Sequence, residues 1–520
     1  MPFSRRDFLK LGSALSGAFA ASRIATRLLS AGQAASAAHP NILIFVFDAM
    51  SAKNLSLHGY RRATTPNLER FAERATVYHQ HYSAGSFTTP GTASLLTGLY
   101  PWTHRAINES GLIARKLAAK NLFRALGRGY QRLAFSQNIW ANYLFGQFQG
   151  DIETILSPAS FALIDDVAAE KFGGDLVNSH RAFDEFLFQD RNPPASLVFG
   201  MAERFLLQRT IRAASAKDYP RGFPRTTNYP IVFRIEDVFD GIMATISDLS
   251  SPSLAYFHIW PPHEPFKPRK RFAGLFNDGW SPESKPYPRP YHELNDSPVV
   301  YTEPDLAADR RVYDQSIADV DAEFGRLLDF LSSRGFLDSS HVVVTSDHGQ
   351  LFERGVEGHI TRFLYEPVVR VPLLISSPGQ VTRRDVNIPT SSVDVLPTLA
   401  HLSGGAVPAW CEGTLLPEVG GASDPERSIF MMDAKENPAF APLTNASFAL
   451  RKGRYKLIYD VGFQKHDNDN KAAHFELYDI EADPEELNNI QRTATSVADA
   501  MGGELLSRID TENAKLKRAE

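Results

Sequence analysis

The sequence predicts an α/β protein built on a doubly wound sheet. Continuous β-branched apolar runs recur along the chain, helical apolar periods lie between them, and acidic or histidine residues stand just past the ends of the runs. The first run, NILIFVF (41–47), reads as a buried parallel strand with Asp48 at its carboxyl end. LAYFHIW (254–260), HVVVTSD (341–347) and VPLLISS (371–377) repeat the pattern. Tyr313, Ile317, Val320, Phe324, Leu327 and Leu331 share one face of a helix between them. Ligands of such sheets gather outside the carboxyl ends of the strands, where Asp48, His263 and Asp347 fall.

The N-terminus stands apart from that pattern. Ser4-Arg5-Arg6-Asp7-Phe8-Leu9-Lys10 precedes the weakly apolar LGSALSGAFAA, which reads as a twin-arginine export signal over residues 1–37 and a periplasmic or secreted protein. Arg23 and Arg27 interrupt the apolar stretch, so it is not a long membrane anchor. Cleavage after Ala20 and after Ala37 fit equally well. Residues 38–425 are then expected to form the main domain. An insertion or cap is expected at about 157–250, where FDEFLF and MAERFLLQRTI are broken by DYPRGFPRTTNYP. Residues 266–305, rich in Pro, Tyr, Arg and Lys, read as a long loop near the site. FALRKGRYKLIYD and FELYDIEADPEE read as hairpin segments of a small C-terminal α+β subdomain, 426–520, which ends in a charged helix.

A net charge of −5 supplies no global field for nucleic acid, which is not expected as a partner. Cys411 is the sole cysteine, so neither an intramolecular disulfide nor a cysteine metal site is available, and it reads as a small buried hydrophobe. Chemistry must come from other groups. Asp347-His348-Gly349 follows a strand, where a turn can bring a carboxylate and an imidazole onto one ion, although the triplet is equally good turn chemistry. Asp48 offers a second hard anion or, equally, a helix cap.

Seven blocks in order carry a resemblance: NILIFVFDAM, TTPGTASLLTGLYP, FHIWPPHEPF, TSDHGQLFERGVEGH, YEPVVRVPLLISSPG, SVDVLPTLAHLSG and ELYDIEADPEELNN. From Asn41 to Asn489 the chain resembles the sulfatases of the alkaline phosphatase superfamily. The resemblance implies a doubly wound mixed sheet and a hydrolase of phosphoric or sulfuric esters. The second block resembles the family's Cys-x-Pro-Ser-Arg-x-x-Leu-Leu-Thr-Gly, whose cysteine becomes formylglycine. Counting back from Leu95-Leu96-Thr97-Gly98 places Thr88 at the cysteine and Pro90 at the proline. Ser86 lacks a proline two residues on, and Thr89 and Thr92 sit at the wrong spacing and are expected to cap the helix.

Threonine cannot become that aldehyde. A threonine alkoxide can instead attack phosphorus directly, as in the phosphodiesterases and phosphotransferases of the superfamily that Thr88 resembles. A phosphodiester, phosphomonoester or phosphonate ester is therefore the expected substrate. A sulfuric ester hydrolase with an alcohol nucleophile, a phosphotransferase and a silent binding protein are the alternatives. Retention of Asp48, Asp347 and His348 speaks against the last.

The resemblance also implies one divalent ion on Asp48, Thr88, Asp347 and His348. Nitrogen among the donors favours Mn²⁺ or Zn²⁺ over the Ca²⁺ of sulfatases, with Mg²⁺ open as well. Ala49 replaces the second aspartate of the family's strand-end pair, and Thr92 replaces its arginine. Asn138 and Trp140 stand where a lysine and a histidine belong, which makes Asn138 a substrate contact. His263 matches the substrate-binding histidine and general acid, His359 is a second catalytic candidate, and Arg362 an anion contact close by. His258 reads as a satisfied core histidine and His104-Arg105 as a solvated pair. The expected partners are the twin-arginine machinery and a small, lipid-linked or glycan-linked anionic ester.

Overall fold

An apolar run with no polar alternation needs cover on both faces, and Asn41–Phe47 finds it in the middle of an eight-stranded sheet. The computed structural model describes residues 39–127, 129–163, 217–227, 231–287, 300–462 and 474–517. The twin-arginine segment, FDEFLF and MAERFLLQRTI lie outside them. The strands are β1 (Asn41–Phe47), β2 (Thr76–Tyr78), β3 (Gln131–Ser136), β4 (Thr154–Ile155), β5 (Ser253–Ile259), β6 (Ser340–Thr345), β7 (Leu373–Ser376) and β8 (Arg384–Val386). Their order is β8-β2-β7-β6-β1-β5-β3-β4.

The five strands β6, β1, β5, β3 and β4 run parallel, as do β8 and β2. The expectation that run 371–377 repeats the parallel pattern is corrected, because β7 is antiparallel to both neighbours. A parallel return needs a crossover that carries the chain back to the start of the sheet. The segment after β6 holds only two three-residue strands and one four-residue helix, so the chain re-enters from the end it left. The sheet is mixed.

Alternate residues of the central strands build the two outer layers. Leu43, Phe45, Phe47, Phe257 and Ile259 pack on one face against Tyr313, Ile317, Val320, Phe324, Leu327 and Leu331 of the helix Glu303–Ser333. Ile235–Asp248 lies in the same layer through Val238, Phe239, Ile242 and Ile246. Ile42, Ile44, Val46, Leu254 and Tyr256 pack on the other face against Ala93, Leu95 and Leu96 of the helix Thr88–Thr97. The long helix starts where its sequence says it should: Thr302 accepts from the Asp305 amide, proline follows, and two acids sit in the first turn. Its Tyr313 hydroxyl donates to the Ala49 carbonyl at 2.6 Å and accepts from the Ser51 amide at 2.9 Å. That pins the turn after β1, where Ala49 adopts φ +60°.

A four-stranded antiparallel sheet, Ile429–Asp433, Ala446–Lys452, Tyr455–Val461 and His474–Asp479, follows with Thr495–Lys517 packed on it. Two contacts anchor it beside the site. The Met432 amide donates to the Ala84 carbonyl at 3.0 Å, and buried Lys456 pairs with Glu366 at 3.1 Å and Glu486 at 2.8 Å.

Candidate active site

Register assembles the site. Ser136, His258, Val46 and Thr345 occupy one row across β3, β5, β1 and β6. Two residues further along their strands stand Asn138, Asp48 and Asp347, at the carboxyl ends. Asp48 continues the face of Ile42, Ile44 and Val46, which is the face covered by the helix Thr88–Thr97. The Asn138 amide donates to Asp48 Oδ2 at 2.6 Å and to Thr88 Oγ1 at 3.0 Å. Its own Oδ1 accepts from the Trp140 amide and caps the helix Ile139–Gln147, so the cap holds the amide in place. Trp140 contributes that backbone amide, and its ring stacks on Tyr143.

Thr88 is the first residue of its helix, where free backbone amides and the macrodipole favour negative charge on a side-chain oxygen. Its Oγ1 lies 3.3 Å from His348 Nε2. The expectation that Thr89 and Thr92 cap this helix is corrected. The cap position is Phe87, which gives no side-chain bond, so both threonines already lie inside the helix. Thr89 Oγ1 donates to the Glu109 carbonyl. Ser86 donates to Asp433 at 2.9 Å, which commits that hydroxyl to the C-terminal sheet.

Asp347 is held through Oδ1, which accepts from the amides of His348 at 3.0 Å and Ala49 at 3.3 Å. His348 Nδ1–H donates to the Gly349 carbonyl at 2.9 Å, which leaves Nε2 bare. That nitrogen lies 3.4 Å from Asp48 Oδ1 and 3.5 Å from Asp347 Oδ2. Neither carboxylate oxygen has a hydrogen-bond donor among the described residues, although both groups are buried. Donors at these separations fit around one ion with bonds of about 2.0–2.2 Å. Asp48, Asp347 and His348 are the one group among the described residues with metal-ligand geometry.

The electrostatics say the same. Burial resists ionisation of Asp48, but His263, His258 and His348 hold its carboxyl well below the usual range. Burial and the Asp48 charge push Asp347 up. Burial disfavours a charged His348, yet Asp347 and Asp48 raise it to about 9.

His263 and His359 converge on this cluster. Their ring centres are 4.7 Å apart, and that of His359 is 4.3 Å from His348. His263 Nδ1–H donates to the Glu264 carbonyl at 2.8 Å and His359 Nδ1–H to Gln350 Oε1 at 2.7 Å, so these bonds engage Nδ1 of each ring and not Nε2. Burial, His348 and His263 hold His359 well below the ordinary imidazole range. Arg362, by contrast, pairs with Glu436 at 3.6 Å.

Two expectations fail. His104 and Arg105 are buried, not solvated: His104 bonds Ser94 at 3.0 Å, and Arg105 donates to the carbonyls of Ala439 and Ala441. His258 is buried but not satisfied. Its Nε2 lies 3.3 Å from Asp48 Oδ2 and 3.6 Å from Asp347 Oδ2. The missed signal was the alternation Leu254, Tyr256, His258, which puts the ring on the same sheet face as Asp48 once the register is known.

A buried group of two carboxylates and a histidine that could hold a metal ion thus lies beside a helix-borne hydroxyl at the carboxyl ends of a mixed sheet. The chain belongs to the sulfatase family: the sulfatase family model matches residues 40–190 and 208–405, and the C-terminal model of N-sulphoglucosamine sulphohydrolase matches 358–512. It is a hydrolase of phosphoric or sulfuric ester bonds. Choline-sulfatase of Rhizobium meliloti is 25% identical over 87% of this chain and 82% of its own. The multifunctional alkaline phosphatase superfamily protein PehA of Trinickia caryophylli is 24% identical over 82% and 85%. The phosphonate monoester hydrolase of Agrobacterium radiobacter shares the fold with TM-score 0.64 at 18% identity, over 91% of this chain and 96% of that one. A structure solved with D-glucosamine-2-N,6-O-disulfate matches with TM-score 0.63 at 18% identity, over 92% and 98%.

Proposed function

We propose that this enzyme is an exported, metal-dependent phosphoester hydrolase with Thr88 as its nucleophile. The observation that carries the reading is the position of Thr88 Oγ1, at a helix N-terminus, 3.0 Å from the Asn138 amide and 3.3 Å from His348 Nε2. A divalent cation held by Asp48, Thr88, Asp347 and His348 would lower the pKa of the Thr88 hydroxyl and neutralise charge on the ester; their mixed oxygen and nitrogen donors suit Mn²⁺ or Zn²⁺. Asn138 orients the Oγ1 lone pairs and keeps Asp48 in place. Oγ1 attacks phosphorus in line as the P–O bond to the leaving alcohol breaks, while Nε2 of His263 or His359 takes up the Thr88 hydroxyl proton and passes it to the departing alcohol. Water then attacks phosphorus, gives its proton to the same nitrogen, and the proton passes on to Thr88 Oγ1 as the Thr88–phosphate bond breaks.

A second reading, sulfuric ester hydrolysis by the same hydroxyl, is favoured by the sulfatase relatives. An acceptor alcohol in place of water would make the enzyme a phosphotransferase. The deciding experiment assays aryl phosphate, phosphodiester, phosphonate ester and sulfate with and without Mn²⁺ or Zn²⁺, for wild type, Thr88→Ser and Thr88→Ala. The expected result is metal-dependent phosphoester turnover, retained in part by Thr88→Ser and lost in Thr88→Ala, with phosphate trapped on the Thr88 peptide after acid quench. Sulfate turnover alone would sink the substrate reading, and turnover indifferent to Thr88 would sink the nucleophile. Export by the twin-arginine route is part of the proposal and predicts a shortened periplasmic form that disappears when Arg5 and Arg6 become lysines.

A further inference from the structure

His258 has the chemistry of a metal donor, and among the described residues its polar neighbours include the two carboxylates of the cluster. The ring is 0% exposed, and neither nitrogen makes a hydrogen bond among the described residues. A fully buried imidazole with both nitrogens unpartnered is expensive unless something binds it. Its Nε2 faces Asp48 Oδ2 at 3.3 Å and Asp347 Oδ2 at 3.6 Å. It is not simply orienting Asp48, since Asn138 already donates to that Oδ2 at 2.6 Å. Asp347 Oδ2 has no hydrogen-bond donor among the described residues. Strand β1 is followed by Asp48 and Ala49, so it brings one ligand, and the neighbouring strand β5 brings an imidazole on the same sheet face, opposite Val46 and two residues before the level of Asp48.

We propose that His258 is a fifth protein donor to the divalent metal, bound through Nε2 beside Asp48, Thr88, Asp347 and His348. This inference rests on the reading of Asp48, Asp347 and His348 as a metal site. Two imidazoles with two carboxylates select a borderline transition ion, whereas an oxygen-only cage selects Ca²⁺. His258 thereby sets which metal the enzyme takes.

The test is spectroscopic and independent of substrate. The purified mature chain, with ¹⁵N-labelled histidine and Mn²⁺ bound, is examined by pulsed electron paramagnetic resonance, which counts directly coordinated imidazole nitrogens without any substitution. Two are expected in the wild type and one in His258→Ala. The variant's Mn²⁺ affinity, from competition with a chelator, should fall by more than the roughly 10–100-fold typical of an outer-shell partner. Ca²⁺ should compete better against Mn²⁺ in the variant than in the wild type. One coordinated imidazole in the wild type, or an unchanged count in His258→Ala, overturns the proposal while leaving the metal site standing. Failure of the wild type to bind Mn²⁺, Zn²⁺ or Ca²⁺ overturns the metal site itself, and this inference with it.

Discussion

Replacing Gly349 by alanine tests whether close backbone packing sets the position of the His348 imidazole. Gly349 directly follows that residue, and its amide donates to the Val368 carbonyl at 2.6 Å. A Cβ there would meet the Pro367 carbonyl oxygen at 2.0 Å and the Val368 carbonyl oxygen at 3.1 Å, and real Cβ atoms essentially never come within 3.0 Å. The obstacle is backbone, not a side chain that can swing away. The turn must therefore open by about 1 Å, a displacement that can cost about 10²-fold in rate when it falls on catalytic geometry. His348 Nδ1 bonds the carbonyl of Gly349 itself, so the shift passes to Nε2 and lengthens its 3.3 Å approach to Thr88 Oγ1. The overpacking should also cost stability, about 1–3 kcal/mol. Gly349→Ala is expected to lose about 10²-fold in kcat with weakened metal affinity and a lower Tm. Gly503→Ala is the control, since nothing lies within 4 Å of its Cβ on the helix Thr495–Lys517, and it should be neutral or slightly stabilising. Wild-type kcat, metal affinity and Tm in Gly349→Ala would refute the claim that this contact positions His348.

Asn138→Ala removes donors to Asp48 and Thr88 together, and because a bond to a charged group contributes about 1.5–3 kcal/mol, loss of the one to Asp48 alone should drop kcat about 10–10²-fold with the fold intact by circular dichroism. His104 should make the protein acid-sensitive. Burial and then Arg105 hold its imidazole down at about 3, and the Ala106 amide donates to Nδ1, so protonation forfeits that bond. A depressed folded-state pKa gives stability that is full above the unfolded value of 6.5 and lost as pH falls toward 3. The slope from this group is up to about 1.4 kcal/mol per pH unit, and urea unfolding of His104→Asn from pH 7 to 4 should show that component missing. Lys456→Met leaves Glu366 and Glu486 buried without their cation, which should cost about 3–5 kcal/mol in denaturant unfolding. A change below 1 kcal/mol would mean that the ion pairs merely offset their desolvation.

Sequence alone determined the elements whose signals are local. NILIFVF had to be a doubly buried strand, and the spacing from Tyr313 to Leu331 had to be one face of a helix, because period and apolarity act over neighbouring residues. Asp48, Asp347 and His348 were singled out for the same reason, each standing just past the end of such a strand, whereas Thr88 was reached through the resemblance of its block to a family pattern. Direction and register were not. Strand β7 runs antiparallel because of the short path that leads into it, and no residue within VPLLISS encodes that. The structure likewise turned His104 and Arg105 inward, where carbonyls more than three hundred residues away accept from the guanidinium. His258 shows the limit most plainly. Its own segment is an apolar strand with one polar interruption, indistinguishable from a core histidine. Only the pairing of β5 with β1 sets its ring against Asp48 and Asp347, because hydrogen-bond register between strands distant in sequence is a property of the assembled sheet and of no single strand.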